Sequence, residues 1–95
     1  MNEFEEYALL LLAQLEAIAE TIHSVQIDCC VAVGETNQIY VHIVTRTRND
    51  FYVTPFTLAP EIVRVHNLGF EFVAQELLNQ TAEAVTRKMV QEAGG

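Results

Sequence analysis

Residues 26–58 read QIDCCVAVGETNQIYVHIVTRTRNDFYVTPFTL, and they contain three runs with the two-residue apolar period of a β-strand. The runs cover residues 26–33, 39–45 and 51–58, and short polar segments separate them. Polar segments of this kind between strand patterns are typical of hairpins, so the sequence predicts a three-stranded antiparallel meander. Pro55 cannot donate a ladder hydrogen bond, which predicts an edge position for the third strand.

Helical patterns flank the meander on both sides. Over about residues 2–23, apolar side chains recur at helical spacing on one narrow stripe, which comprises Phe4, Ala8, Leu11, Leu15, Ile18 and Ile22. A second long helix is predicted over about residues 70–93. Residues 60–66 suit a short helical turn, although Ile62, Val63 and Val65 would also suit a short strand. The predicted fold is a single small α+β domain of order α-β-β-β-(short helical turn)-α, with the antiparallel meander packed against two long helices.

The charge of the chain limits the classes of partner. Thirteen acidic residues against five basic ones give a net charge of -8, which repels nucleic acid unless the basic residues cluster. The element order resembles that of double-stranded RNA-binding domains and that of the opening half of type III secretion chaperones. An RNA-binding domain would carry Lys or Arg at the start of the last helix, where this chain has Phe70, Glu71, Phe72 and Val73. We therefore expect no nucleic-acid partner, and the charge fits the chaperone resemblance better.

The first residues and the cysteines indicate a cytoplasmic protein. Residues 1–6 carry glutamates where a signal peptide would carry basic residues, and the apolar run that follows is too short to span a bilayer. Cys29 and Cys30 are neighbours, and adjacent Cα atoms lie about 3.8 Å apart, which is below the usual disulfide range. Reduced thiols suit the cytoplasm, and we expect no membrane partner.

The two faces of the predicted sheet differ in character. If both turns close symmetrically, Cys30 lies opposite His42, and His42 lies opposite Thr54. One face is then a plain apolar core, and the other carries Asp28, Cys30, Ala32, Tyr40, His42, Val44, Tyr52, Thr54 and Phe56. Aromatic side chains on a face that should be solvated are typical of protein-binding surfaces. We expect a partner to bind at Tyr40, His42, Val44, Tyr52, Thr54 and Phe56. The alternative is that the last helix or segment 60–66 covers this face within the chain.

Surplus apolar residues on both helices predict self-association. Leu9 and Leu10 lie away from the apolar stripe of the first helix, and Phe72 lies on the polar side of the last helix. Two helices and three strands cannot cover these side chains together with the outward sheet aromatics, so they need a second surface. We therefore expect a homodimer, and we include Leu9, Leu10 and Phe72 among the partner-binding residues.

Cys30 and His42 are of the residue types that can act as a nucleophile and its base. A thiol becomes nucleophilic when a neighbouring imidazole favours the thiolate. A flat sheet supplies neither an oxyanion hole nor a third group that orients the imidazole, so we expect a small buried cysteine that packs beside a hydrogen-bonded histidine. Cys29 and Cys30 point to opposite faces and cannot grip one ion together, and His23 and His66 are predicted surface residues. No catalytic residue, metal site or cofactor is predicted.

Non-enzymatic protein binding by a homo-oligomer is the predicted function. The sequence does not distinguish an adaptor, a chaperone and a small inhibitor, including a phage-type inhibitor. The first alternative is a small-molecule-binding protein or minor enzyme with a pocket near Cys30 and His42. The second is an acidic mimic of nucleic acid, which would need closely spaced carboxylates.

Overall fold

The computed structural model describes residues 2–59, 61 and 69–94 of the chain. The described elements are α1 (Glu3–Ala19), β1 (Gln26–Val33), β2 (Ile39–Arg46), β3 (Phe51–Leu58) and α2 (Phe70–Gly94). The strands form one open antiparallel sheet in the order β1-β2-β3, so the predicted α+β meander with a helix before and after it is confirmed. The short helical turn predicted over residues 60–66 falls, apart from Glu61, outside the described residues.

Local hydrogen bonds set both ends of α1. The side chain of Asn2 accepts a hydrogen bond from the backbone N–H of Glu5 at 2.9 Å, as an N-cap residue does. The helix ends at Ala19, before the predicted end at residue 23. At this end the hydroxyl of Thr21 donates to the carbonyl of Ile18 at 2.6 Å, and the Thr21 N–H bonds to the same carbonyl. This tighter turn stops the helix because it replaces the regular i to i+4 bonds.

Both helices pack on one face of the sheet. The core consists of side chains from the middle strand and from the inner stripes of the helices, namely Ile39, Val41, Ile43, Leu11, Leu15, Ala74, Leu77 and Leu78. Along β2, buried residues alternate with exposed ones, which is the pattern of a sheet covered on one side. The structure therefore has two layers, and the second face of the sheet lies away from the helices.

The first hairpin has the predicted register. The confirmed pairs are Val33 with Ile39, Val31 with Val41, and Cys30 with His42. Within the loop, the N–H of Gly34 donates to the Gln38 carbonyl at 2.8 Å, and Asn37 adopts a left-handed φ of 64° that asparagine tolerates. A Cβ atom on Gly34 would lie 2.5 Å from Cε2 of Tyr40. The Tyr40 ring therefore packs directly on Gly34, and a side chain at position 34 would require the ring to move.

The register predicted for the second hairpin is wrong by one residue. The observed pairs are Tyr40 with Thr57, His42 with Pro55, Val44 with Val53, and Arg46 with Phe51. Arg46 belongs to β2 and not to the turn, so the loop spans residues 47–50 and the Thr47 N–H donates to the Asp50 carbonyl at 2.8 Å. One residue fewer in the loop moves every β3 side chain to the opposite face. Tyr52, Thr54 and Phe56 consequently face the helices.

Among the described residues, neither helix combines the length and the apolar content that a bilayer-spanning segment needs.

The prediction of Pro55 at a sheet edge is confirmed, because β3 pairs with β2 alone in the described sheet. Since the opposite edge belongs to β1, the two edges differ in sequence: one carries a proline and the other does not.

Candidate protein-binding surface

The side of the sheet that points away from both helices is called the outer face here. Its residues come from all three strands: Gln26, Asp28, Cys30, Ala32, Tyr40, His42, Val44, Arg46, Phe51, Val53, Pro55 and Thr57. All of them are exposed except Val44, which is half-buried. Because α2 packs on the opposite face, it does not provide the cover that the sequence left open as an alternative. The other covering segment considered, residues 60–66, lies almost entirely outside the described residues.

The apolar part of the outer face lies on the side of β3. Phe51 is 64% exposed, Val53 is 40% exposed, and Val53 pairs directly with Val44. Tyr40, also 40% exposed, extends this part toward the first hairpin loop. An aromatic ring left 64% exposed is costly in water, since each Å² of buried apolar area is worth about 25 cal/mol. Val44, Val53 and Phe51 lie at neighbouring ladder positions, so a partner that covers this part of the face desolvates them together.

The charges on the outer face compensate one another. Nε of Arg46 donates to Oδ2 of Asp28 at 3.1 Å, and the two side chains are 58% and 50% exposed. Exposed ion pairs of this kind contribute at most about 1 kcal/mol to stability. The pair leaves the face nearly neutral, although the chain as a whole is acidic.

The structure places the predicted site residues in three groups. Tyr40, His42 and Val44 lie on the outer face, as expected. Tyr52, Thr54 and Phe56 do not, because the shifted register turns them toward the helices. The positions that they were expected to occupy on β3 belong to Phe51, Val53, Pro55 and Thr57, which sequence reasoning missed. The signal that could have found them is Arg46, whose charge complements Asp28 and so extends β2 by one residue.

Tyr52 has a structural role on the helix side of the sheet. It is 7% exposed, and its hydroxyl donates to Oε2 of Glu92 at 2.8 Å. This bond joins β3 to the last turn of α2. The hydrogen bond to the carboxylate raises the pKa of Tyr52 above its ordinary value, and burial and the Glu92 charge act in the same direction.

The helical site residues are exposed as predicted. Leu9 and Leu10 on α1 are 55% and 51% exposed, and Phe72 on α2 is 50% exposed. Leu9 lies beside a groove of about 420 Å³ between α1 and the free edge of β1, which is lined by Glu5, Ala8, Leu9, Leu12, Val31, Ala32 and Val33. The groove is thus an apolar surface at the β1 edge, separate from the apolar part of the outer face on β3.

Cys30 and His42 face each other across the β1–β2 ladder, but neither is buried. The expectation of a small buried cysteine is therefore wrong, because no second layer covers the outer face in the described part of the chain. Four cavities formed by described residues are lined by side chains other than Cys30 and His42. Among the described residues, no three His, Cys, Asp or Glu side chains cluster as metal ligands would. His23 is exposed, and His66 lies outside the described part.

Cys29 lies on the helix side of β1 and is half-buried. Burial raises the pKa of its thiol to about 11, with smaller contributions from the nearby carboxylates of Glu16 and Asp28. A thiol with this pKa is almost entirely protonated at neutral pH and is a poor nucleophile. The surroundings of Cys29 therefore do not favour its thiolate.

Comparison with known proteins gives no assignment. No protein-family model matches this chain, and no significant similarity is found among curated proteins or among solved structures. The described residues form a small two-layer α+β domain in which neither helix covers the outer face. Function must be inferred from that geometry.

Proposed function

We propose that this chain is a non-enzymatic, cytoplasmic protein-binding module that acts as a homo-oligomer and captures another protein on its outer face. The role of adaptor, chaperone or small inhibitor is compatible with such a module. The observation that carries the proposal is the open outer face itself, on which Phe51, Val53 and Tyr40 are exposed together. Aromatic side chains combine a large contact area with few rotatable bonds, which favours them at protein interfaces.

The electrostatics indicate what kind of protein would fit. Because the Arg46–Asp28 pair is internally compensated, a partner can desolvate the apolar part of the outer face without burying an unpaired charge. The remainder of the chain carries a large excess of acid, with a net charge of -8. A protein with an apolar centre and a basic rim is complementary to this arrangement. Its association should be faster at low ionic strength.

The alternatives receive less support from the same surface. A small-molecule binder needs a concave site, whereas Cys30 and His42 lie on an open face and outside the four cavities. A nucleic-acid mimic needs an array of free carboxylates. On the outer face the only acidic side chain is Asp28, and it is paired with Arg46.

A paired substitution tests the proposed surface. Val53→Ala removes an exposed valine from the outer face, and Val90→Ala removes one, 66% exposed, from α2. The tagged chain, these two variants and Phe51→Ala are used to retain proteins from an extract of the source cell, and retained proteins are identified by mass spectrometry. We expect one protein to be retained by the wild type and by Val90→Ala, and to be lost or weakened by Val53→Ala and Phe51→Ala. Central interface side chains are worth about 2 kcal/mol or more when truncated.

Two results would contradict the proposal. Equal retention by Val53→Ala, Phe51→Ala and the wild type would exclude the outer face as the capture surface. A metabolite that copurifies with the wild type, detected by native mass spectrometry, and that is lost on replacing His42 would favour the small-molecule alternative. Circular dichroism of each variant shows whether the fold is retained.

A further inference from the structure

We infer that a second copy of this chain pairs along the free edge of β1, so that two three-stranded sheets become one continuous sheet of six strands. This inference specifies the homo-oligomer of the proposed function. It does not depend on the capture of another protein. The two copies are related by a two-fold axis perpendicular to the sheet, which passes beside Cys30.

The difference between the two sheet edges is the first argument. An edge strand exposes backbone N–H and C=O groups that can pair with another chain, and proteins commonly protect it with Pro, Lys or a bulge. β3 carries Pro55, which removes an amide donor. β1 has the sequence QIDCCVAV, with neither Pro nor Lys, and pairs only with β2 in the described sheet. Its edge is therefore the one that is open to a further strand.

The burial of β1 is the second argument. On the helix side of the middle strand, Ile39, Val41 and Ile43 are fully buried. The corresponding side chains of β1, at Ile27, Cys29, Val31 and Val33, are all only half-buried. This row of β1 side chains is thus covered by α1 but remains open at the free edge of the strand. A strand added at this edge would complete its burial.

Self-complementarity identifies the second copy as the occupant. Antiparallel pairing about Cys30 places Ile27 opposite the second copy's Val33, and Cys29 opposite its Val31. Both are apolar pairs, and symmetry forms each of them twice. The groove beside Leu9, Leu12 and Val33 would receive the Ile27 end of the other strand. One surface therefore supplies both partners of every contact, as an isologous interface requires.

Charge selects this register over the neighbouring one. In pairing about Cys30, Asp28 lies opposite Ala32 of the second copy, so the two Asp28 carboxylates are separated by four residues along the strand. In pairing about Cys29, Asp28 would lie opposite Cys30, and the two Asp28 side chains would be diagonal neighbours at about 7–8 Å. Like charges at that distance repel, and the exposed Arg46 partner of each Asp28, at 3.1 Å, offsets only part of that repulsion.

The exposed area of the chain agrees with self-association. The accessible surface is 6381 Å², whereas a compact monomer of 10.7 kDa exposes roughly 5,500 Å². The chain thus exposes more surface than an average monomer of its mass. The radius of gyration, 14.1 Å, also exceeds the value of about 12.4 Å for a compact domain of this length.

The cysteines give a direct test of the register. Directly opposed residues of antiparallel strands have Cα atoms about 4.5–5.5 Å apart, within the disulfide range. Cys30 would then lie opposite itself across the two-fold axis. Diamide, which accepts the two electrons and two protons released by a pair of thiols, should convert Cys29→Ser into a covalent dimer on a non-reducing gel. Cys30→Ser should remain a non-covalent dimer by light scattering.

A second pair of positions excludes cross-linking by random collision. In the background without Cys29 and Cys30, Asp28→Cys and Ala32→Cys are made separately. Each alone should form little disulfide, because its own counterpart lies four residues away. An equimolar mixture of the two should form the mixed dimer. A mixture that cross-links no faster than either variant alone would overturn the proposed register.

A matched pair of charge variants tests the interface without cysteine chemistry. Ala32→Asp places a carboxylate opposite the second copy's Asp28, whereas Ala32→Lys places a cation there. Position 32 is exposed, so both monomers should fold alike by circular dichroism. With two symmetry-related pairs, we expect the dimer Kd to rise by about two- to thirty-fold for Ala32→Asp, and to rise less or to fall for Ala32→Lys.

The outcomes separate this inference from the proposed function. A wild-type chain that is monomeric at micromolar concentration, or dimeric with cross-linking through Cys29 alone, overturns the inference. So does an equal effect of the two charges at position 32. If a monomeric variant such as Ala32→Asp still retains its partner protein, the proposed function stands independently of the dimer. If the Cys30 dimer forms but Val53→Ala leaves capture unchanged, the dimer stands and the proposed capture surface is wrong.

Discussion

Cys30 lies directly opposite His42 in the β1–β2 ladder, and both side chains are exposed on the outer face. A thiol beside an imidazole suggests a nucleophile and its base, but a catalytic pair also needs walls that hold a substrate and donors that stabilise developing charge. The described residues around this pair provide neither, because the surface there is an open sheet. The juxtaposition is therefore a result of strand register and does not by itself define a site.

We predict that Cys30→Ser retains partner capture and changes the free energy of unfolding by less than about 0.5 kcal/mol. An exposed thiol contributes little packing, so a substitution of similar size has a small effect. Urea denaturation measures the stability, and retention of the partner protein measures capture. A folded Cys30→Ser variant that has lost all function would revive a catalytic role for the pair with His42.

The packing of Tyr40 on Gly34 leads to a second prediction. In Gly34→Ala, the new Cβ would meet the Tyr40 ring at 2.5 Å, so the ring must move. The contacting atoms are at the far end of an exposed side chain that can turn toward solvent, so we expect a loss of less than about 1 kcal/mol in stability. The double variant Gly34→Ala/Tyr40→Ala is the control. Because it removes the ring, the cost of the alanine at position 34 should fall by at least half, and an unchanged cost would show that the contact is not responsible.

Buried threonine hydroxyls lead to a third prediction. Oγ1 of Thr54 is buried without a hydrogen-bond partner among the described residues, whereas the Thr81 hydroxyl donates to the Leu77 carbonyl at 2.7 Å. Thr54→Val replaces the hydroxyl with a methyl group of similar size and should stabilise the fold by about 1 kcal/mol. Thr81→Val breaks a hydrogen bond and should not. Calorimetry of both variants checks the sign, and a destabilised Thr54→Val would show that its hydroxyl is satisfied in solution.

The hydrogen bond between Tyr52 and Glu92 predicts that the stability of the fold depends on pH above the physiological range. The folded pKa of Tyr52 is raised from the ordinary value of 10.0, so the folded state favours the neutral phenol. The stabilisation is complete below pH 10 and is lost as the pH rises through the raised pKa, where phenolate and carboxylate repel each other. The last turn of α2 should fray there.

Tyr52→Phe provides the control for this titration. The difference in tyrosinate absorbance between wild type and variant isolates Tyr52, and its midpoint should lie above pH 10.0. Amide exchange near Gly94 should report the fraying in the wild type, whereas in Tyr52→Phe exchange should already be fast at neutral pH. A midpoint at or below 10.0 would contradict the hydrogen bond.

The thiol of Cys29 should resist alkylation. With a pKa of about 11, only about one thiol in a thousand is ionised at pH 8. In Cys30→Ser, the rate of reaction with iodoacetamide should rise steadily with pH up to about 11. Glu16→Gln removes one of the carboxylates that raise this pKa, so it should increase the rate at pH 8. A rate that levels off below pH 9 would contradict the burial of this thiol.

The alternation of residues along the strands was sufficient for the meander and for the first register. In β1 and β2, the odd-numbered residues are clearly more apolar than the even-numbered ones, so each strand specifies which of its two sides faces the core. β3 does not specify its core side in this way, because Phe51 and Val53 are at odd-numbered positions and Tyr52 and Phe56 at even-numbered ones. Its face is set by the number of residues in an all-polar loop, and strand alternation carries no information about that number.

The exposure of Cys30 could not be predicted from the sequence, for a different reason. Whether a residue on the outer face is buried depends on a second layer, and two helices can cover one face or both with the same apolar stripes. The structure places both helices on one side, which exposes Tyr40, His42 and Cys30 together. Of the three aromatic side chains predicted on this face, only Tyr40 lies there, and on β3 the exposed aromatic is Phe51.

Pro55 limits the size that an assembly of this chain can reach. Copies with an open strand at both edges add to one another without end, and sequences of high β-propensity then form fibres. Two copies joined through β1 would present only β3 at each outer end, and each β3 carries the proline. Growth would stop at the pair. A single residue thus separates a finite complex from an open polymer, and Pro55→Val should be tested for turbidity and for thioflavin binding before any variant of this strand is concentrated.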